Sequence, residues 1–424
     1  MKVYLREDTR YHAPIRYVLK IIEKNRNIQF EHVGAAGEAT IVWDDRSPLS
    51  EPICTSFYQH LPDQTDHLKH QSLLDADLLI KQSGQADLIA TIFYLINCLQ
   101  EASPSPEELD EFGRYKFSAS YQSKFNVIES NLVERLIDTF CEGHGIKGTK
   151  HKSTFFVSHD IDTLYGSLLQ DGFWALKKMN IGVILKLIAY ELGRAPHWRN
   201  IDRIIRINSE YDIRTTFFWL VNKGRGLQGI MNADYNLKNE QDLLERVDQS
   251  GNTNGLHKSC STMSIDEELA RGNLATTYNR YHFLNFLPHR DWEKISASAL
   301  NFDASLGFAE RCGFRNSYGR AFQPFNVRAN CPYNFVEAPL HFMDVTMHKY
   351  MQLPRSKMSQ LVIDFYERYP ENCDFSLLWH NTYFTDYKYS SFIEEYKKIV
   401  SFIYENKVAC VSPRELIEKN TLTW

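Results

Sequence analysis

Apolar and polar positions along the chain alternate between two periods. Residues 2–5 (Lys-Val-Tyr-Leu) predict a short strand. From Pro14 onward Ile15, Val18, Leu19 and Ile22 recur at helical spacing, so a helix with one apolar face follows. Residues 40–43 read as a second strand, closed by Asp44 and Asp45, and residues 87–100 as a strongly apolar helix. Two prolines within residues 102–106 then mark a turn. This first α/β series ends near residue 145. The stretch 142–148 carries three glycines in seven residues and is the expected linker, dividing the chain into 1–147 and 148–424.

A second series begins with the apolar run 154–157, which leads straight into Ser158-His159-Asp160-Ile161-Asp162. Further strand candidates lie at 215–221, 375–379 and 408–411. Between the last two, Phe392, Tyr396, Ile399, Val400 and Ile403 mark an amphipathic helix. Ser412, Pro413 and Glu415 fit a helix start, with a serine cap, proline in the first turn and glutamate three residues on. Strands alternating with helices through 148–424 predict a parallel α/β sheet or a barrel, preceded by the small α/β domain.

Composition narrows the function classes. At 424 residues the chain exceeds one average domain, and 43% hydrophobic with 24% charged residues supplies an ordinary core. The 26 Phe, 23 Tyr and 7 Trp suit sugar stacking, but aromatics fill cores more often. A net charge of −5 argues against a dedicated binder of nucleic acid or anionic membrane. The opening residues lack the apolar stretch of a secretory leader. The longest apolar segment, 181–192, is broken by Lys186 and Glu191 and falls short of the ~20 residues needed to span a bilayer. A cytoplasmic protein with no membrane span is expected, unless a partner recruits it to a membrane. Eight scattered cysteines without a Cys-x-x-Cys pair read as reduced structural thiols, which sets aside zinc ribbons and thioredoxin-like chemistry.

Candidate chemistry comes from polar pairs at i and i+2 beside apolar runs, because strand side chains two apart share a face. Asp160 and Asp162 form one such pair, His257 and Ser259 a second, Arg280 and His282 a third. His380 closes the run ending at Trp379. One carboxylate and two histidines make an open site for a divalent metal, a second carboxylate serves as base, and a further histidine protonates a leaving group. Each piece also has a plainer reading. An Asp-x-Asp after a strand is a common cap, a histidine among apolar residues is a common core residue, and Arg280 is an ordinary ion-pair residue.

Taken together, VSHDIDT, TTFFWLV, GLHKSCST, NRYHFLNF, FDASLGFAERCGFRNSYGRAFQPFN, EAPLHFMDVTM and LLWHNTYF resemble the polysaccharide deacetylase family, carbohydrate esterase family 4 with NodB homology. The closer resemblance is to a bacterial branch with an additional N-terminal domain of unknown function, to whose end DLIATIFYLINCLQE and DEFGRYKF are similar. The resemblance implies a distorted (β/α) barrel with its site at the C-terminal ends of the strands. It implies removal of acetyl groups from N-acetylated sugars of a poly- or oligosaccharide, in surface polysaccharide metabolism. It makes Asp160 the base, Asp162 a metal ligand, His257 another ligand and His380 the acid. The family's adjacent aspartates are here separated by Ile161, and the second histidine of its second motif is replaced by Thr262. His282 is the expected substitute ligand, with Arg280 orienting Asp160 and Asp303 holding Arg280. Ser259, Asp303 and Trp379 are the expected substrate contacts. For Asp303, Arg315, Glu337 and Asp344, loop-fixing ion pairs are the competing reading. Zinc suits the donor set, and cobalt, nickel or iron fit the same donors. The partner is an N-acetylated glycan. Two alternatives remain: a catalytically inactive deacetylase-like glycan-binding protein, and an interaction component of a polysaccharide assembly system that makes contact through its N-terminal domain.

Overall fold

The structure, a computed structural model, describes residues 1–61, 78–166, 168–192, 198–385 and 389–424, leaving out the side chains of 168–170, 190, 191 and 390. The chain opens with a three-stranded parallel sheet of β1 (Lys2–Leu5), β2 (Glu31–His32) and β3 (Ile41–Trp43), in the order β2-β1-β3. Helix α1 (His12–Arg26) buries Ile15, Val18, Leu19 and Ile22, the face that the apolar spacing predicts. Helix α2 (Leu88–Ile96) starts at Asp87, whose carboxylate accepts the Ala90 N–H at 2.8 Å. It ends earlier than its apolar run, at a left-handed Cys98. Helix α3 (Leu132–Gly143) completes the series and stops where the glycine-rich stretch begins.

The larger sheet has eight parallel strands: β4 (Thr154–Ile161), β5 (Thr216–Trp219), β6 (Thr253–Lys258), β7 (Tyr278–Tyr281), β8 (Phe302–Asp303), β9 (Val336–Glu337), β10 (Phe342–Met343) and β11 (Asp374–Leu378). Their order is β9-β8-β7-β6-β5-β4-β11-β10. Strands β4 and β11 are buried along their whole length, as expected of a parallel sheet covered on both faces. The two edge strands, β9 and β10, are separated by only residues 338–341. Laid flat, eight strands would span roughly 34 Å at their usual spacing, whereas the five residue steps from 337 to 342 reach at most about 18 Å. The sheet is therefore curled, with its edges turned toward each other, as expected of a distorted (β/α) barrel. The predicted strand at 408–411 does not form. It makes only a single parallel bridge, from Cys410 to Phe155 near the start of β4, on the side where β5 pairs only from Ser158 onward. The helix through Phe392 is Ser390–Glu405, and Ser412 caps Pro413–Asn420 with the expected capping box.

One continuous cluster of buried apolar side chains runs from Val3 through Phe155 to Leu422, so the first 147 residues share packing with the rest. Polar groups cross the same boundary. The Tyr17 hydroxyl donates to the Gln323 carbonyl at 2.7 Å. Arg315 makes a buried two-pronged contact with Glu101, at 2.5 and 3.2 Å. Removing one partner of such a pair leaves the other charged and unpaired in the interior, which costs about 3–5 kcal/mol. Glu101→Ala is expected to lower unfolding stability by about that much, read by urea denaturation. A loss under about 1 kcal/mol, the usual worth of an exposed pair, would show that the contact does not brace the two halves.

Candidate active site

The C-terminal ends of β4, β6, β7 and β11 bring their polar residues to one place. Asp160 lies in β4 and Asp162 just beyond it, His257 in β6, Arg280 in β7 with His282 directly after, and His380 two residues past β11. Asp160, His257, Arg280 and His282 are buried. Asp160, Asp162, His282 and His380 line a cleft of about 170 Å³, with Leu284, Met343, Val345, Tyr350 and Tyr383 among its walls.

Arg280 organises the floor of the cleft. Its Nη1 donates to Asp160 Oδ1 at 2.9 Å and to Ser158 Oγ at 2.8 Å, and its Nε donates to the Ala304 carbonyl at 2.9 Å. The guanidinium carbon sits 4.6 Å from the centre of the Phe218 ring, a cation–π contact. Burial pushes the Asp160 carboxyl up, but the charges of His257 and Arg280 outweigh it and hold the group below its ordinary range. The backbone carbonyl of Arg280 accepts the His257 Nδ1–H at 2.9 Å. That bond leaves His257 Nε2 facing Asp160 Oδ2 at 3.4 Å and Asp162 Oδ1 at 3.6 Å.

Asp162, His257 and His282 each offer one ligand atom, and all three atoms lie within 4.8 Å of one another. Asp162 Oδ1 and His257 Nε2 are buried with no protein hydrogen-bond partner. His282 Nε2 is 3.8 Å from Asp162 Oδ1. Atoms bound at ordinary zinc distances in a tetrahedral set sit roughly 3.3–3.6 Å apart, so the set fits a divalent cation. Burial pushes the His282 imidazole down to about 4, which keeps its ring neutral and a lone pair free at neutral pH. Thr262, at the family's second histidine position, is exposed and lines a different cavity, of about 700 Å³, which among the described residues shares only Tyr281 with the cleft.

Across the cleft, His380 Nδ1 bonds Asp344 Oδ1 at 2.7 Å, and its backbone N–H donates to Asp344 Oδ2 at 2.5 Å. Burial alone would lower the His380 imidazole. The Asp344 charge and hydrogen bond, aided by Asp162 and Asp160, raise it instead to about 9. His380 Nε2 is 3.8 Å from Asp162 Oδ2.

Three expected substrate contacts lie elsewhere. Trp379 is fully buried and packs on Tyr396, because neighbouring strand-end residues point to opposite sides and His380 takes the cleft side. Asp303 is buried and holds Asn279 at 2.6 Å and the Ser305 N–H at 2.9 Å, with no bond to Arg280, whose Nε goes to Ala304 instead. The Ser259 hydroxyl is taken by Glu268 at 2.5 Å, on the larger cavity. His159 is a satisfied core histidine, its Nδ1–H donating to the Trp379 carbonyl at 2.7 Å, and burial pushes it down to about 4.

The sequence reading missed two residues. Asp344, for which a loop-fixing ion pair is the competing expectation, holds His380; the acidic residue in HFMDVTM is the available signal. Arg114 stands within the motif DEFGRYKF, to which the sequence assigns no place in the site. It reaches in from the first 147 residues to line the cleft. Its Nε donates to Asp110 at 2.7 Å, Nη1 to the Phe283 carbonyl at 3.1 Å and Nη2 to the Tyr350 hydroxyl at 3.2 Å. Phe283 and Leu284, immediately after His282, both have left-handed backbone, with φ of 62° and 50°.

Residues 8–143 match a family described as a family of unknown function, DUF7033. No curated protein matches the chain in sequence. Among solved structures, a protein described as a candidate polysaccharide deacetylase from Mycobacterium smegmatis aligns over 65% of this chain and 95% of its own, at 13% identity and a TM-score of 0.41. A CE4 family pseudoenzyme from Bacillus anthracis aligns over 65% of this chain and 69% of its own, at 12% identity and a TM-score of 0.29. A mutant described as a CE4 family pseudoenzyme with restored enzymatic activity aligns over 65% and 71%, at 12% identity and a TM-score of 0.30.

The Asp344–His380 contact has a measurable signature. The folded value of about 9 exceeds the ordinary histidine value of about 6.5. The resulting stabilisation is complete below about pH 6.5 and is lost as pH rises through about 9. In metal-free protein an NMR titration of His380 should show this high value. Asp344→Asn should bring it below 6.5, since burial then acts with less opposition. An unchanged titration in that variant would remove Asp344 as the cause.

Proposed function

We infer that the protein is a metal-dependent hydrolase that removes acetyl groups from N-acetylated sugars of a glycan. The observation that carries this reading is the convergence of three lone-pair atoms, from Asp162, His257 and His282, between a carboxylate held by Arg280 and an imidazole held charged by Asp344. Asp162, His257 and His282 would hold the metal, with zinc the first expectation for one carboxylate and two imidazoles. When bound, a divalent metal supplies a Lewis acid at the cleft.

The chain's own groups do the proton work. Asp160, ionised and fixed by Arg280, takes the proton of the attacking water through the oxygen not bonded to the guanidinium. The acetyl carbon gains the water oxygen, and its bond to the sugar nitrogen breaks. His380 gives its proton to that nitrogen, which is a poor leaving group unless protonated. Arg114 contacts Phe283 and Tyr350 in the wall of the cleft, which Tyr383 also lines. We assign residues 1–147 to a first unit that contributes this Arg114 wall, and residues 148–424 to the barrel that carries the reacting groups.

The test joins metal analysis to turnover. The full-length protein, reconstituted with zinc, cobalt, nickel or iron, is expected to hold about one ion per chain, and His282→Ala to lose it. Asp160→Asn should keep the metal and lose about 10²–10⁴-fold in acetate release from a panel of N-acetylated glycans. Loss of metal in Asp160→Asn would exchange the roles of the two aspartates. A wild-type chain that takes up no ion overturns the hydrolase reading. A chain that binds metal and glycan without releasing acetate is instead a glycan-binding relative.

A further inference from the structure

Among the described residues, no helix is long and apolar enough to cross a membrane. Two helices directly after the Asp160–Asp162 segment nonetheless present an unusual surface. Helix α4 (Leu168–Lys177) and helix α5 (Ile181–Leu192) form a hairpin whose own small cluster, Ala175, Val183 and Leu187, is separate from the main core. On α5 the residues Ile181, Leu185, Ile188 and Leu192 are exposed at spacings of four, three and four, a single stripe along one helix face. That stripe lies opposite the buried Val183 and Leu187. On the α4 side, Phe173, Leu176 and Met179 are exposed as well, Met179 at 87% and Phe173 at 71%. A helix facing only water carries polar residues on its outer side, whereas this hairpin is apolar on both.

The charges around the stripe indicate what covers it. Lys177, Lys178 and Lys186 are exposed. Asp171, the one acidic residue of the hairpin whose side chain is described, is buried and accepts the Trp198 indole N–H at 3.0 Å. The −5 of the whole chain therefore conceals a patch whose apolar residues are bordered by three lysines, with Glu191 the one further charge in the sequence of α5. Large apolar side chains flanked by lysines form the chemistry that seats a helix at the headgroup level of an anionic bilayer.

The patch is also tied to the mouth of the cleft. Trp198, which holds Asp171, has its carbonyl 3.5 Å from the Asn381 side-chain nitrogen. Asn381 follows His380, and its side chain also donates to the carbonyl of Thr163, the residue after Asp162. The base of the hairpin is thus fastened to the residues following His380 and Asp162.

We propose that the α4–α5 hairpin docks this protein on an anionic membrane surface, with the Ile181–Leu192 stripe and Phe173 inserted at the headgroup level. This is a statement about binding and stands or falls separately from the hydrolase reading.

Flotation of the full-length protein with vesicles tests it, using pure phosphatidylcholine and a three-to-one mixture with phosphatidylglycerol. Binding is expected to the anionic vesicles, at least tenfold weaker to the neutral ones, and to fall as salt rises. Leu185→Glu/Ile188→Glu should lose binding tenfold or more, and Lys177→Glu/Lys178→Glu should lose it on anionic vesicles. Both variants change only exposed side chains, and circular dichroism and metal content should match the unaltered protein. No binding to either vesicle at moderate salt overturns the proposal. So does a concentration-dependent dimer in sedimentation velocity that Leu185→Glu/Ile188→Glu dissolves, since a second copy would then cover the stripe.

Discussion

A buried guanidinium needs partners in place of water, and those that Arg280 finds through Nε and Nη1, with Nη2 left without a hydrogen bond among the described residues, set the geometry of the cleft. Its charge is removed from water, which is tolerated only where opposite charge and hydrogen bonds replace hydration. Asp160 supplies the charge, Ser158 and Ala304 supply acceptors, and the face of Phe218 supplies a fourth side. The same residue's backbone carbonyl fixes the His257 ring. One side chain and one peptide group thus bind three strands into register at their ends: β4 through Asp160, β6 through His257 and β7 itself. The register of the parallel pairs, His257 beside Arg280 among them, delivers those groups without further adjustment.

Much of this was legible because strands have a period of two. The i and i+2 pairs Asp160/Asp162 and Arg280/His282 do reach the same place, and the apolar runs beside them are strands β4, β5 and β11. The order of these pairs also located His282, where the aligned histidine position holds Thr262. The limits of the same rule are equally visible. Ser259 was paired with His257, but β6 ends at Lys258, so alternation no longer governs Ser259 and Glu268 takes its hydroxyl. Trp379 sits next to His380 in the chain and therefore turns away from it. The run at 408–411 has strand-like composition, yet the eight-strand order is complete without it.

Asp344 and Arg114 were beyond pattern reading for a different reason. Asp344 meets His380 because β10 returns beside β11 at the far edge of a curled sheet, a contact set by topology and carrying no local spacing. Arg114 meets Phe283 across 169 positions of sequence, from a loop pinned by Asp110 on one side and by Asn285 bonding the Phe112 carbonyl on the other. Glu101 and Arg315 are a third long-range meeting of this kind. The Arg114 and Glu101 contacts join the first 147 residues to the rest through charge or aromatic contact, which composition alone leaves unassigned.

The left-handed Phe283 and Leu284 give that joining a particular meaning. Bulky residues in this conformation cost about 1–3 kcal/mol each and persist only where surroundings impose them. Here the imposition comes from outside the barrel, as Arg114 bonds the Phe283 carbonyl and lies 4.8 Å from the centre of its ring. The turn carries His282 on its first residue. A barrel fragment cut at residue 147 would inherit this histidine on a hinge without its strut, free to relax toward ordinary backbone angles. The reach of His282 toward Asp162 is in that sense assembled by distant parts of the chain, with Arg114 acting as the brace.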